Sequence, residues 1–247
     1  MPWRLAAGLA FLLLSACASH EAAADAPGAV EFEQLAPGVW MHTSYETVEG
    51  YGPVLSHGLI VVRGDHSVLV DTGWNDDQTA EILDWVQTTL GKPVEAAVFT
   101  HAHSDKMGGV QAVRDRGIET YANALSNRLA PSVGLTPAEH SLELSDPGDT
   151  ADLDGLEVLY PGGGHTRDNI TVYDPQSRIL FGGCLVRPAE SDTLGNTNDA
   201  DMAYWPQAAT NLLTAYPDAV MVVPSHGAPG GPELPGHTAA LFETRAD

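Results

Sequence analysis

Residues 96–109 read AAVFTHAHSDKMGG. The first four are an apolar run of the kind that fills a buried strand, and the character turns polar at Thr100. An extended backbone sends alternate side chains to the same side, so His101, His103 and Asp105 can converge as the chain leaves the sheet. Neutral imidazole and carboxylate both suit zinc. The stretch therefore reads as a strand whose carboxyl end delivers metal ligands, the place where open α/β sheets put their ligand sites.

Three further segments share that design. PGGGH at 161–165 presents His165 from a glycine-rich turn, ILFGGC at 179–184 ends an apolar strand on Cys184, and residues 219–223 lead through Pro224-Ser225 to His226. Singly, a cysteine is more often a small buried hydrophobe, and a histidine more often a hydrogen-bonded structural residue. Together, six ligand-type side chains at four such places suggest two zinc ions.

Around these points the pattern alternates strands and helices. Strands are expected at 39–43, 58–62, 67–71, 96–100, 156–160, 169–173, 179–182 and 219–223, and helices at 77–90, 110–115, 123–129, 203–216 and 235–244. Two strand-rich halves carrying outer helices predict an α/β fold, a four-layer αβ/βα sandwich. There is no internal repeat and no P-loop or dinucleotide glycine pattern, so nucleotide cofactors are not indicated.

The chain has 247 residues, enough for one sizeable core, and 11 Lys+Arg stand against 33 Asp+Glu for a formal charge of -22. That balance argues against a nucleic-acid partner; its simplest consequence is solubility. We expect three parts: a leader at 1–16, a tether rich in Ala, Gly and Pro at 17–29, and a catalytic domain at 30–247. Arg4 followed by the apolar residues 5–14 suits a signal peptide, too short to span a bilayer that needs about 20 residues. LSAC at 14–17 resembles the box cleaved before a lipidated cysteine, which makes Cys17 the anchor to a membrane. Ala18, by resemblance, favours the periplasmic face of the bacterial outer membrane. The alternative is ordinary cleavage near residues 22–24, giving a soluble protein. Cys17 and Cys184 are the two cysteines, and with separate tasks they form no disulfide; zinc coordination would keep the Cys184 thiolate from oxidation.

Taken with HTSY at 42–45, YANALSN at 121–127, GGCL at 182–185, LGN at 194–196 and Asp199-Ala200-Asp201, the ligand motifs resemble the metallo-β-lactamases. The likeness covers residue 30 to the C-terminus. Its subclass is the one with a three-histidine site beside an Asp-Cys-His site, and it is most like the New Delhi type. Relatives that act on thioesters or process RNA typically have histidine where this chain has Lys106, and aspartate where it has Cys184. The resemblance implies two Zn2+ cofactors, one on His101, His103 and His165, the other on Asp105, Cys184 and His226, each ion with an open position. It implies hydrolysis of the β-lactam amide of penicillins, cephalosporins and carbapenems by a zinc-activated hydroxide, and hence antibiotic resistance, by a monomer acting on small molecules. Asp105 would orient the water and Asn196 assist the oxyanion.

Other residues take roles from the same likeness. Arg187 stands where the New Delhi type has the lysine that pairs with the substrate carboxylate, and its rigid fork is expected to alter that grip. Residues 43–57, with Tyr45, Val48, Tyr51 and Val54, align with a mobile flap over the substrate, with Trp74 in the floor; the alternative is a hairpin folded back on the core. Asp71 and Asp199 are candidates to orient the metal site from outside, or else ordinary buried turn residues. His20, His42, His57, His66, His140 and His237 are left as structural or surface residues. Two rivals remain: a lactone or thioester hydrolase of this fold, and a non-catalytic zinc-binding lipoprotein.

Overall fold

Val68, Leu69 and Val70, like Ala97, Val98 and Phe99, are buried without exception. A strand buried on both faces needs a packing layer on each, and the molecule supplies four. The computed structural model describes Met1 and residues 29–243; the leader and Cys17 lie outside the described residues. The first sheet holds seven strands in chain order: β1 (Glu31–Ala36), β2 (Val39–Val48), β3 (Gly52–Arg63), β4 (His66–Val70), β5 (Val94–Phe99), β6 (Glu119–Asn123) and β7 (His140–Leu142). The second holds five, from β8 (Thr150–Leu153), β9 (Leu156–Leu159), β10 (Thr171–Asp174) and β11 (Ile179–Gly183) to β12 (Met221–Pro224), in the order β12-β11-β10-β9-β8.

Strand parity sorts the apolar side chains into layers. Leu59, Val61, Val68, Val70 and Val98 face the second sheet and meet Leu156, Val158, Val172, Ile179, Phe181 and Val223 there. Their neighbours Ile60, Leu69, Ala97 and Phe99 point outward and are covered by helices α1 (Asp76–Trp85) and α3 (Val110–Asp115), which flank the short α2 (Ser104–Met107). On the far side Tyr173, Leu180 and Val222 pack under α5 (Trp205–Ala215) and α6 (Leu234–Ala240). The expected αβ/βα sandwich is thus the observed fold. α1 starts on Asn75, whose side chain accepts from Gln78 N at 3.0 Å, and runs through a widened turn at Val86–Leu90, so the helix expected at 77–90 is continuous.

Several expectations need correction. β1, β6, β7 and β8 were not anticipated, and each is six residues or fewer with exposed positions, too short for periodicity to mark. α4 (Ala124–Leu129) matches its expected span, whereas α5 and α6 stop short of theirs. Residues 43–57, expected as a flap, belong to one hairpin: β2 and β3 pair without a break from Val39↔Val61 to Val48↔Gly52. The flap is the end of this hairpin.

β4, β5, β6 and β7 run parallel, as do β11 and β12. The two parallel sets open their carboxyl ends on the same edge of the sandwich, because backbone bonds join the sheets there: Ile170 N donates to Thr100 O at 2.9 Å and His57 N to Ser225 O at 2.9 Å. Leu59 is 2% exposed in the layer between the sheets, and we expect Leu59→Ala to cost about 2–5 kcal/mol, read as a lower urea midpoint at unchanged slope.

Candidate metal centre

His101 Nε2 lies 3.1 Å and His165 Nε2 3.3 Å from His103 Nδ1. Two ring nitrogens thus converge on a third. Bonds of about 2.0–2.1 Å to a tetrahedral ion put ligand nitrogens about 3.3 Å apart, which is the spacing found. The rings are aimed from outside. His103 Nε2 meets Asp199 Oδ2 at 3.0 Å, so the proton sits there and Nδ1 keeps its lone pair. Burial, then the neighbouring His103 and His165, hold His101 well below its ordinary pKa; burial, then His103, lowers His165 to about 3. Both are therefore kept in the neutral, ligating form.

The second trio sits alongside. Cys184 Sγ is 3.3 Å from His226 Nε2 and 3.6 Å from Asp105 Oδ2, and the last two are 3.5 Å apart. Zinc–sulfur bonds of about 2.3 Å lengthen the tetrahedral edge to about 3.5 Å, again in agreement. His226 Nδ1 donates to Leu55 O at 2.7 Å, which turns Nε2 inward. Burial pushes the Cys184 thiol up, and Asp105 adds to the shift, so a cation is needed to convert it to the thiolate. Burial alone would raise Asp105, but the Lys106 ammonium and then His226 outweigh it and hold the carboxyl well below the usual range. The donor set suits zinc at both trios, and His101 also groups with His165 and Cys184, all ligand atoms within 4.8 Å. The two subsites adjoin.

Behind them runs a buried polar network. Asp71, at the end of β4, accepts from Thr100 N at 2.7 Å and Thr100 Oγ1 at 2.9 Å, fixing the residue before His101. Its φ of 61° is left-handed, a conformation that aspartate tolerates better than most side chains. Burial raises its pKa to about 7 against the pull of Lys106. Lys106 is fully buried, with Nζ 3.6 Å from Asp71 Oδ2 and 3.3 Å from Asp105 Oδ2. It donates to Ser56 Oγ at 2.7 Å and His57 O at 2.9 Å, while Ser56 Oγ reaches Asp105 Oδ2 at 3.1 Å. Asp168 Oδ2 accepts from Ala102 N at 2.8 Å and so pins the loop between the two histidines. Sequence reasoning missed Ser56 and Asp168 altogether and read Lys106 only as a mark of difference from other relatives. Its place inside the ligand motif was the available signal.

His103 and His165 of the first trio, and Asp105 and His226 of the second, line a cavity of about 430 Å³. Val48, Tyr51, Val54 and Trp74 line it, as do Arg187, Gly195, Asn196 and Asp199. Tyr51 is 61% exposed at the hairpin tip. Tyr45 corrects its expectation: it is not in this lining, and its hydroxyl donates to Glu31 Oε2 at 3.2 Å. Three residues from Val48, it falls on the other face of β2 by strand alternation. Asn196 Oδ1 accepts from Asn198 N at 3.1 Å, which leaves its NH2 as the free donor. His42, His57 and His237 give Nε2 to carbonyl oxygens of Asp71, Gly227 and Ser191 respectively, consistent with structural work.

Residues 51–226 match the family model for the metallo-beta-lactamase superfamily. The chain is 38% identical over 214 residues to the metallo-beta-lactamase type 2 of Bacteroides fragilis, covering 86% of this chain and 85% of that one. Its likeness to the corresponding Pseudomonas aeruginosa protein is 37% over 218 residues, 88% and 86% of the two chains. Among solved structures, a metallo beta lactamase from Hirschia baltica superposes with a TM-score of 0.85 at 51% identity, over 87% of this chain and 98% of that one. FIM-1 from Pseudomonas aeruginosa, in its mono-zinc form, gives 0.83 at 53% identity, over 87% and 96%.

Removing the ammonium would leave the Asp105 carboxylate buried without its main counter-charge and take a hydrogen-bond donor from Ser56 and His57 O. Lys106→Met is expected to cost about 3–5 kcal/mol of stability, measurable by denaturant unfolding; a loss under about 1 kcal/mol would mean that the carboxylate finds another partner.

Proposed function

This chain belongs to the metallo-beta-lactamase superfamily, and from that membership we propose that it hydrolyses the β-lactam ring amide of penicillins, cephalosporins and carbapenems. The observation that carries this reading is the pair of adjoining trios, His101/His103/His165 and Asp105/Cys184/His226, beside a cavity that four of these ligands line together with Val48, Val54, Trp74, Arg187 and Asn196. We read the subclass from the same residues, which also carry the likeness to the New Delhi type.

Two zinc ions held by these trios would supply a hydroxide nucleophile from water at neutral pH and a Lewis acid for the ring carbonyl. The chain's own residues do the rest. Asn196, its oxygen tied to Asn198, turns its NH2 toward the cavity, where it meets the carbonyl oxygen as charge develops. Val48, Val54 and Trp74 cover the apolar side of the substrate and exclude water. Arg187 supplies positive charge in the cavity lining for the carboxylate that β-lactams carry. Ser56 and Lys106 hold Asp105, and Asp199 holds His103, so the ligands meet an ion without rearrangement.

For the cell we propose a monomer anchored through a lipid on Cys17 to the periplasmic side of the outer membrane, with the leader at 1–16 removed and the catalytic domain at 30–247 on its tether. The support is the LSAC box at 14–17. A net charge of -22 speaks for small-molecule substrates and against nucleic acid.

Purified protein supplied with zinc should hydrolyse both imipenem and nitrocefin, and EDTA should abolish both reactions. Protein that binds about two zinc ions yet turns over neither compound would sink the proposal and favour a lactone, a thioester or simple zinc carriage. Replacing zinc by cobalt(II) should produce a thiolate-to-metal charge-transfer band that Cys184→Ser lacks; a band surviving the substitution would remove Cys184 from the ligand set.

A further inference from the structure

Arg187 spends most of its fork on its own loop. Nε donates to Thr193 O at 3.1 Å and Nη2 to Ser191 Oγ at 3.0 Å. The flat face of the guanidinium lies against Gly195: a methyl built there would stand 3.2 Å from Nη1 and 3.4 Å from Cζ. Gly195 also has φ +70°, which side-chain-bearing residues avoid. Absence of a side chain thus serves both the turn and the close approach of the cation.

The rest of this segment is held at its ends. α6 fixes the start, where Arg187 N donates to Thr238 Oγ1 at 2.8 Å and His237 Nε2 to Ser191 O at 2.9 Å. Leu194 is buried against the apolar layer under α5. Among the described residues, the bond from Arg187 to Thr193 is the one hydrogen bond that ties residues 192–195 to anything else. The next residue is Asn196. Its amide can meet a developing oxyanion only if the backbone under it is placed, and placement to a fraction of an ångström decides what such a donor contributes.

We propose that Arg187 is a positioning residue that sets Asn196 by gripping the 191–195 loop, so that it supports turnover through Asn196 in addition to offering charge to the substrate. This rests on the β-lactam reading given above. Lysine retains the charge but has one nitrogen and no planar face, so it cannot meet Ser191, Thr193 and Gly195 together.

The test uses the full chain with Arg187→Lys, Arg187→Ala, Asn196→Ala and the Lys/Ala double variant. Arg187→Lys should lower kcat about tenfold on nitrocefin while KM stays within about threefold. In the Asn196→Ala background the same change should cost little more, because both substitutions remove one contribution. Hydrogen–deuterium exchange at amides 192–196, measured without substrate, should rise in both Arg187 variants and not in Asn196→Ala. The proposal is overturned if Arg187→Lys keeps the native kcat and exchange while Arg187→Ala raises KM alone, since charge would then be the whole role. Wild-type protein with no β-lactam turnover defeats the hydrolase reading instead, and unchanged exchange in Arg187→Lys would still rule out the grip.

Discussion

An ammonium with no solvent contact sits between two carboxylates on Asp71 and Asp105. Its burial would by itself favour the neutral amine, yet Asp105 and then Asp71 and Cys184 raise the Lys106 pKa above the ordinary value. Lys106 and Asp105 thus keep each other charged in a place where a lone charge would be costly, while burial holds Asp71 up at about 7 against the pull of the same ammonium. From this point the site is built in two directions. Through Asp71 the network reaches Thr100 and the start of the histidine run, and through Asp105 and Ser56 it reaches the second trio and β3. Phe181 of the opposite sheet lies under the ammonium, its ring centre 5.7 Å from Nζ.

The sandwich explains why six ligands from distant segments can meet. Neither sheet has enough strand ends to surround two ions: the first brings His101, His103 and Asp105 past β5, and the second brings His165, Cys184 and His226 from its loops. Apolar packing of Val98 against Phe181 and Val223 sets the distance between sheets, while backbone bonds at Thr100–Ile170 and His57–Ser225 set their offset along the edge. Packing sets the coarse geometry, and the hydrogen bonds the fine one.

Legibility in the sequence followed the range of the interactions involved. The ligands at 101–105 could be read because residues two apart on an extended chain share a side, and Cys184 and His226 because apolar runs lead into them. The layers could be read from two strand-rich halves that carry helices, with apolar runs at 68–70 and 96–99 marking buried strands. Ser56 and Asp168 carried no signal, since their partners lie 49 and 66 residues away and nothing local marks them. Tyr45 was misplaced because the expected strand at 39–43 stopped short of it; once β2 is known to continue to Val48, parity alone puts the two side chains on opposite faces. Arg187 was read by its charge, whereas its fork closes on residues four and six positions ahead, a turn that only the folded loop defines.

These differences separate the metal ligands from the rest of the cavity lining. Asp105 and His226 of the second trio, and His103 of the first, each have a partner that fixes their orientation: Ser56 with Lys106, Leu55 O, and Asp199. A change at any of these alters several buried groups at once and carries a buried-charge or buried-polar penalty. The rest of the lining is held far more lightly, by a hairpin tip whose Tyr51 stands mostly in solvent and by a loop that relies on one arginine. Substitutions there disturb few neighbours. Physical cost therefore steers variation in what the cavity accepts toward residues 48–54 and 187–196, and away from the ligands that define the chemistry.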